Sequence, residues 1–432
     1  MATLPKDFED YTKGLFGEER YNRFLMSFQE KQPLSVRLNP FKPGKVFEGE
    51  PVPWCTNGIW LNEKPDFTLD PLLHAGCYYV QEAGSMFLDE VIRQHVTNPV
   101  NMLDLCAAPG GKSTLARAAL PEGSMLYSNE PDRKRANILM ENLQKQGHPD
   151  VVVSNNYAVD YQKAHMMFDV ILADVPCSGE GMFRKDEGAI KEWSIQNVIK
   201  CQELQRSIVE DIWPCLRDGG ILIYSTCTFN TREDEENAKW IAEELGADIL
   251  SVEIDEKWNI TGSLLEDFNE PVYRFIPGIT QSEGLFMCVL KKHGESSPTL
   301  ASATDNDKKS AKKDKKKKKN ENKSESNLRI MHDGRAINAP KETPKNAKSY
   351  APEHAEAMLI NLEDGKYPKA DLTLEQALAY LRREAIVLDA NIPRGFVIVR
   401  YEGHPLGFVK NLGNRANNLY PQEWRIRKSV NR

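Results

Sequence analysis

A doubly wound α/β sheet is the fold this sequence predicts, and three observations predict it. From about Val100 onward, short β-branched runs alternate with segments of helical periodicity, the pattern of a parallel sheet covered by helices on both faces. A glycine-rich turn, Pro109-Gly110-Gly111-Lys112, joins the first of these strands to the first helix. Two later strands run into cysteine-bearing turns, Asp174-Val175-Pro176-Cys177-Ser178-Gly179 and Tyr224-Ser225-Thr226-Cys227-Thr228. Chemistry in open α/β sheets collects at the carboxyl ends of strands, so the thiols mark where it is expected.

In chain order, Phe8–Phe28 carries a helical pattern and Leu34–Phe41 a strand. Met102–Leu105 is the first sheet strand, and Lys112–Leu120 is the helix that the glycine turn opens. Ser124–Asn129 is the second strand, followed by an amphipathic helix over Arg133–Gln146. Val151–Val153 and Phe168–Ala173 are the third and fourth, and Gly220–Tyr224 the fifth, after a helix over Gln196–Leu216. Residues 1–98 read as a separate α+β domain and 99–293 as the catalytic sheet. Residues 294–349 read as a lysine-rich disordered linker, and 350–432 as a carboxyl-terminal module with small-barrel strands.

The 432 residues are enough for two or three cores, and 40% hydrophobic content is ordinary for a globular chain. The first residues lack the basic and apolar regions of a signal peptide, and no apolar run reaches the roughly 18 residues of a membrane span. The eight cysteines show no small-domain disulfide spacing and no Cys-x-x-Cys, and the eight histidines do not cluster. A cytoplasmic protein without a metal or membrane partner is therefore expected. The net charge of −7 hides an uneven distribution: residues 301–327 hold ten lysines against five acids, a local +5 that leaves −12 elsewhere. Net charge therefore neither supports nor excludes a nucleic-acid partner.

The turn Asp104-Leu105-Cys106-Ala107-Ala108-Pro109-Gly110-Gly111-Lys112-Ser113 is not a P-loop, because Cys106 stands where that motif requires glycine. The Gly-x-Gly-x-x-Gly fingerprint of dinucleotide sites is also absent. Glu130 ends the second strand about twenty residues after the glycines, a position suited to a ribose diol. A nucleoside cofactor without a pyrophosphate fits best, and S-adenosylmethionine is the candidate. Asn155 and Asn156 follow the third strand, where a polar group would meet adenine, and Asp174 faces both cofactor and substrate.

A thiolate, an acid and a methyl donor suit methylation at C5 of a pyrimidine. C5 is a poor nucleophile until a thiolate adds to C6 and makes it enamine-like. The adduct must then lose the C5 proton and expel the sulfur, which gives a second thiol a use. A carboxylate such as Asp174 can accept from the cytosine amino group. Cys227 precedes Asn230-Thr231-Arg232-Glu233-Asp234-Glu235, read as a capped helix start. The helix end lowers a thiol pKa and the acids raise it, so spacing does not say which cysteine attacks.

These segments together resemble the Nol/Nop/Sun group of RNA cytosine-C5 methyltransferases. The resemblance rests on Asp104–Ser113, Asp174–Gly179 and Ser225–Thr228, with Ser35–Asn39, Tyr79–Ala83 and the helix carrying Arg135 and Asn142. Within that group the chain most resembles the bacterial RsmF-like ribosomal RNA enzymes, through Gly179–Arg184, Val397–Gly407 and Asn418–Pro421. The resemblance implies a Rossmann-like methyltransferase sheet, an amino-terminal RNA-binding domain and a carboxyl-terminal PUA-like module. It implies that Cys227 is the nucleophile and that Cys177 assists release. It also implies cofactor contacts from Cys106, Ala107, Ala108, Pro109, Gly110, Gly111, Lys112, Glu130, Arg135 and Asp174. Many relatives have Asp shortly after the third strand, where this chain reads Asn155-Asn156-Tyr157.

Basic groups among Tyr401, Tyr420 and Trp424 suit RNA phosphates and exposed bases. Lys410, Arg415 and Arg425 are thus expected RNA contacts, and Arg37 and Arg184, in the segments Ser35–Asn39 and Gly179–Arg184, are expected beside them. The expected substrate is ribosomal RNA or an assembled small subunit, and the expected state is a monomer. A transfer-RNA methyltransferase, a DNA cytosine methyltransferase and a non-catalytic assembly factor are the alternatives.

Overall fold

The computed structural model describes residues 4–295, 328–338 and 351–428. Its strands form three sheets. The first contains β1 (Ser35–Leu38), β2 (Gly49–Pro51), β3 (Gly58–Leu61) and β4 (Tyr78–Val80), all antiparallel, in the order β2-β3-β1-β4.

The second sheet is the catalytic frame. It contains β5 (Asn101–Asp104), β6 (Met125–Asn129), β7 (Val151–Ser154), β8 (Phe168–Asp174) and β9 (Leu216–Thr226), parallel in the order β7-β6-β5-β8-β9. Beyond β9, β12 (Leu285–Lys292) is antiparallel and pairs with both β10 (Ala247–Leu250) and β11 (Val272–Phe275). Strand order reverses between β5 and β8, so the turns after these two strands open onto one crevice.

Alternate residues of the central strands feed two cores, as a period of two requires. Met102, Val170 and Leu172 pack toward the helices Leu88–His95, Gly111–Ala119 and Arg133–Gln146. Leu103, Ile171 and Leu222 face the helices Ile195–Ile212 and Glu235–Leu245. Leu172 is fully buried, and truncating such a side chain to alanine costs about 2–5 kcal/mol. The helix expected to run to Leu216 ends at Ile212, because Pro214 cannot donate a backbone hydrogen bond and β9 begins at Leu216.

The amino-terminal helix, Lys6–Ser27, breaks its regular geometry at Gly17, which adopts φ 74°. Its aromatic face reaches the thiol-bearing loops. Phe8 lies 4.9 Å from Phe183, and Phe24 lies 5.3 Å from Phe229, between ring centroids.

The third sheet contains β14 (Lys369–Asp371), β15 (Gly395–Tyr401), β16 (His404–Asn411) and β17 (Ala416–Asn418). Its Val397, Val399, Leu406 and Tyr420 share one apolar core with Val36, Leu72 and Tyr78 of the amino-terminal part. One expectation is corrected. Residues 328–338 lie within the segment expected to be an unstructured linker, yet β13 (Ile330–Asp333) pairs antiparallel with β7, and a short helix spans Gly334–Asn338. The edge of β7 offers unpaired backbone groups, and Leu328, Met331 and Ile337 supply apolar contacts that the preceding lysine run lacks. The lysine-rich stretch itself lies outside the described residues.

Candidate active site

The turn after β5 carries Cys106 to Lys112 into the crevice. The helix it opens has no side-chain cap, so its first N–H groups are free to meet a ligand. A Cβ on Gly110 would stand 3.3 Å from Leu139 Cδ1, and one on Gly111 would stand 3.2 Å from Tyr79 Cε1. Arg135 Nη2 donates to Ala108 O at 2.9 Å and Asn142 Nδ2 to Pro109 O at 2.8 Å, so the helix Arg133–Gln146 fixes the turn's backbone.

Two buried carboxylates border the turn. Glu130 accepts from Asp132 N with Oε1, whereas its buried Oε2 has no hydrogen-bond partner and lies 3.3 Å from Arg135 Nη1. Asp104 accepts from Ser113 Oγ at 2.6 Å with one oxygen and leaves the other buried and unpartnered. Burial raises the Asp104 carboxyl to about 7. Buried acceptors without a hydrogen bond are uncommon, even where, as at Glu130 Oε2, an arginine lies nearby, and hydroxyl or amine donors of a nucleoside cofactor fit them. Asp104 was not singled out from sequence; its signal was its place as the last residue of the first strand.

Asp174, at the end of β8, bridges the cofactor turn and β9. Its Oδ2 lies 2.9 Å from Lys112 Nζ, and its Oδ1 accepts from Ser225 Oγ at 2.7 Å. Burial opposes the Lys112 charge, and the Asp174 carboxylate outweighs it, so the ammonium's pKa is raised.

The thiols of Cys177 and Cys227 meet at 2.9 Å, both free and half-buried. The hydrogen bond to Cys227, burial and the nearby Glu233 charge hold the Cys177 thiol well above its ordinary range, so it keeps its proton. Two acids tie the loops reciprocally. Glu180, in the Cys177 loop, accepts from Phe229 N, Asn230 N and Asn230 Nδ2, as well as Trp193 Nε1. Glu233, in the Cys227 loop, accepts from Ser178 N at 3.0 Å. Asp234 Oδ1 accepts from both Thr226 and Thr228, the neighbours of Cys227, and Asp234 Oδ2 pairs with Arg274 at 3.0 Å.

Glu233 and Asp234, read as part of a capped helix start, are therefore buried loop anchors, and the helix begins only at Glu235. Sequence reading missed Glu180, Asp234 and Arg274 in this role. Asp234 was signalled only by its place among three consecutive acids after a strand and Glu180 only by its place in Gly179–Arg184, while Arg274 carried no signal, its partners lying far off in the chain.

Other expected contacts are corrected. The Asn155 amide donates to Glu130 O and Pro131 O and accepts from Arg329 Nη1, while Asn156 Oδ1 accepts from Arg329 N. Both side chains are thus engaged by protein rather than held open for adenine. Arg37 is buried and bonds Gln81, Thr114 and Gly111 O, which removes it from RNA. Arg184 is buried against Glu283. Lys410, Arg415 and Arg425 are exposed on the third sheet and the tail after it, away from the thiol loops in sequence and in sheet. Tyr420 is buried and Trp424 half-buried against His354, so these rings serve the core and not base stacking. Among the described residues, no group of three metal-ligating side chains converges, and no helix is long and apolar enough to cross a membrane.

A parallel sheet with a ligand turn at its switch point, acceptors suited to a nucleoside and two apposed thiols defines an S-adenosylmethionine-dependent methyltransferase. Comparison with known proteins narrows this. Residues 93–291 match the family model described as 16S rRNA methyltransferase RsmB/F. Residues 4–83 match the N-terminal domain of 16S rRNA methyltransferase RsmF, and residues 367–426 match the methyltransferase RsmF PUA domain. The chain belongs to the RsmB/F methyltransferase family, with the amino-terminal and PUA domains of its RsmF-like members.

Among its relatives is the ribosomal RNA small subunit methyltransferase F of Aliivibrio fischeri (strain MJ11), 28% identical over 91% of this chain and 92% of that one. Its namesake in Shewanella oneidensis is 29% identical over 90% of each. Of solved structures, a methyltransferase homolog protein from Pyrococcus horikoshii superposes with TM-score 0.58 at 25% identity, covering 67% of this chain and 96% of the other. The structure of NSun6 from the same organism with SFG superposes with TM-score 0.57 at 18% identity, covering 68% and 100%, and shows the shared fold.

Proposed function

We propose that this protein methylates C5 of a cytosine in small-subunit ribosomal RNA, with Cys227 as nucleophile and Cys177 as the group that eases its release. The observation that carries the reading is the 2.9 Å approach of the two thiols beside Asp174 at the switch point. S-adenosylmethionine, when bound, supplies the electrophilic methyl group.

Glu130 Oε2 would accept from the ribose hydroxyls of that cofactor, and the backbone from Cys106 to Lys112 would line the rest of its site. Asp174, oriented by Lys112 and Ser225, accepts from the cytosine amino group and favours cytosine over uracil. The Cys227 proton passes to solvent, and the Cys177 S–H donates to the thiolate left behind. That thiolate forms the Sγ–C6 bond, the C5–C6 π pair moves to C5, and C5 would take the methyl group, the pair of the broken S–CH₃ bond staying with the donor. The C5 proton then departs to solvent, its electron pair restores the C5–C6 double bond, and the Sγ–C6 bond breaks. Cys227 leaves as a thiolate, again held by the Cys177 proton.

The exposed Lys410, Arg415 and Arg425 of the PUA domain hold RNA phosphates. The protein acts as a monomer in the cytoplasm, on ribosomal RNA free or within the assembling subunit. In a labelled-methyl assay, Cys227→Ala abolishes transfer to small-subunit RNA while S-adenosylmethionine still binds. Normal turnover by that variant would remove the role of Cys227.

A further inference from the structure

Two cavities flank the segment Glu30–Leu34, which connects the amino-terminal helix to β1. The larger, about 540 Å³, has Lys31, Lys64, Gln81, Glu82 and Lys185 in its walls. The smaller, about 420 Å³, is lined by the same segment together with Asn62 and Arg184. The larger cavity borders the cofactor turn and the chain just after the Cys177 loop. Gln81 packs on the cofactor turn, where a Cβ on Gly111 would stand 3.6 Å from Gln81 Cδ. Lys185 follows Gly181, whose N–H donates to Cys227 O at 2.7 Å.

The charges here face outward. Lys31, Lys64 and Lys185 are exposed, and among the described residues none forms an ion pair; Lys31 Nζ reaches only Asn62 O, at 3.5 Å. The acids nearby are differently placed. Glu82 is held by the N–H groups of Gly84, Ser85 and Glu283, and Glu283 pairs with Arg184. Glu30 alone is an exposed carboxylate in the wall. Three exposed ammonium groups around a cleft beside the cofactor turn, against one exposed carboxylate, are an arrangement for a polyanion.

We propose that this cleft holds the single-stranded RNA segment carrying the target base, with Lys31, Lys64 and Lys185 on its phosphates. This rests on the reading of RNA as the substrate and adds where the strand runs. It replaces Arg37 and Arg184, which are buried, as the basic contacts of this side of the molecule.

The test compares the full chain with the triple variant K31A/K64A/K185A and the charge-conserving K31R/K64R/K185R, using a small-subunit RNA fragment at several salt concentrations. Each phosphate contact to a single strand contributes about 0.7 to the slope of log affinity against log salt, so losing three lowers it by about 2. Over a decade of salt that is about a 100-fold weaker affinity at 0.1 M, read as a raised KM for RNA. Affinity for S-adenosylmethionine and kcat at saturating RNA stay at wild-type values, and the arginine variant keeps the wild-type slope. The alanine pair K257A/K291A, on exposed lysines elsewhere, leaves all of them unchanged.

An unchanged slope in the triple alanine variant would overturn the proposal while leaving RNA methylation standing. So would an arginine variant as weak as the alanine one. A wild-type protein that neither binds nor methylates RNA would remove both this inference and the function it rests on.

Discussion

Glu180→Gln is the perturbation that most directly probes how the two cysteine loops are held together. The carboxylate accepts four hydrogen bonds: from Phe229 N at 2.6 Å, Trp193 Nε1 at 2.9 Å, Asn230 N at 3.0 Å and Asn230 Nδ2 at 3.1 Å. All four partners are donors, so a glutamine of the same shape must turn its NH₂ toward two of them. A hydrogen bond to a charged group contributes roughly 1.5–3 kcal/mol, so two lost bonds cost about 3–6 kcal/mol. Burial, which raises the Glu180 carboxyl above its ordinary range, offsets part of this because a neutral amide is easier to bury. The net loss expected is about 2–4 kcal/mol, read from the urea midpoint of the transition that unfolds the central sheet.

The same change frees the Cys227 turn from the Cys177 loop. Displacements of about 1 Å cost on the order of 100-fold in rate, so kcat for methyl transfer falls by about that factor. Affinity for S-adenosylmethionine is unchanged, since Glu180 touches nothing in the cofactor turn. Wild-type stability together with wild-type kcat would refute the reasoning.

Other perturbations test separate parts of the site. Gly181→Ala places a Cβ 2.8 Å from both Cys227 O and Gly284 O; overpacking of this kind costs about 1–3 kcal/mol, and thermal melting and kcat should both fall. Glu130→Gln removes the charged acceptor at the ribose position, so the KM for S-adenosylmethionine rises about tenfold with kcat at saturation little changed; equal affinity by calorimetry would contradict the assignment. Burial, reinforced by the Glu180 charge, raises the Glu233 carboxyl to about 7, and burial does the same for Asp104. The folded state therefore holds protons that the unfolded state releases, and stability falls as pH rises from about 4.5 to about 7. Glu233→Gln should flatten part of that slope in denaturation curves taken across this window, and an unaltered slope would remove Glu233 as its source.

The sequence made the sheet legible because its central strands are buried on both faces and read as unbroken apolar runs between turns. It made the thiols legible because both sit at strand ends. What holds the thiols in place could not be read, since Glu180 meets Asn230 fifty residues later and Arg274 meets Asp234 from another strand. Local pattern favoured a helix cap for Glu233 and Asp234, and tertiary packing drew both inside instead. The strand Ile330–Asp333 was hidden for a related reason. Four residues beside a lysine run carry too little apolar signal, and only the open edge of β7 makes them a strand. Arg37 and Arg184 illustrate a further limit, because a basic residue in a motif looks the same in sequence whether it faces RNA or buried acceptors of its own chain.

The division of labour between the thiols is the central claim, and trapping the covalent intermediate tests it most directly. Cys177→Ala protein is incubated with small-subunit RNA and S-adenosylmethionine, the denatured adduct is digested with protease and nuclease, and the nucleotide-bearing peptide is identified by mass spectrometry. An adduct on Cys227 is expected to accumulate, and to be absent from Cys227→Ala and from the double variant. An adduct on any other residue, or one that forms in Cys227→Ala and not in Cys177→Ala, would contradict it.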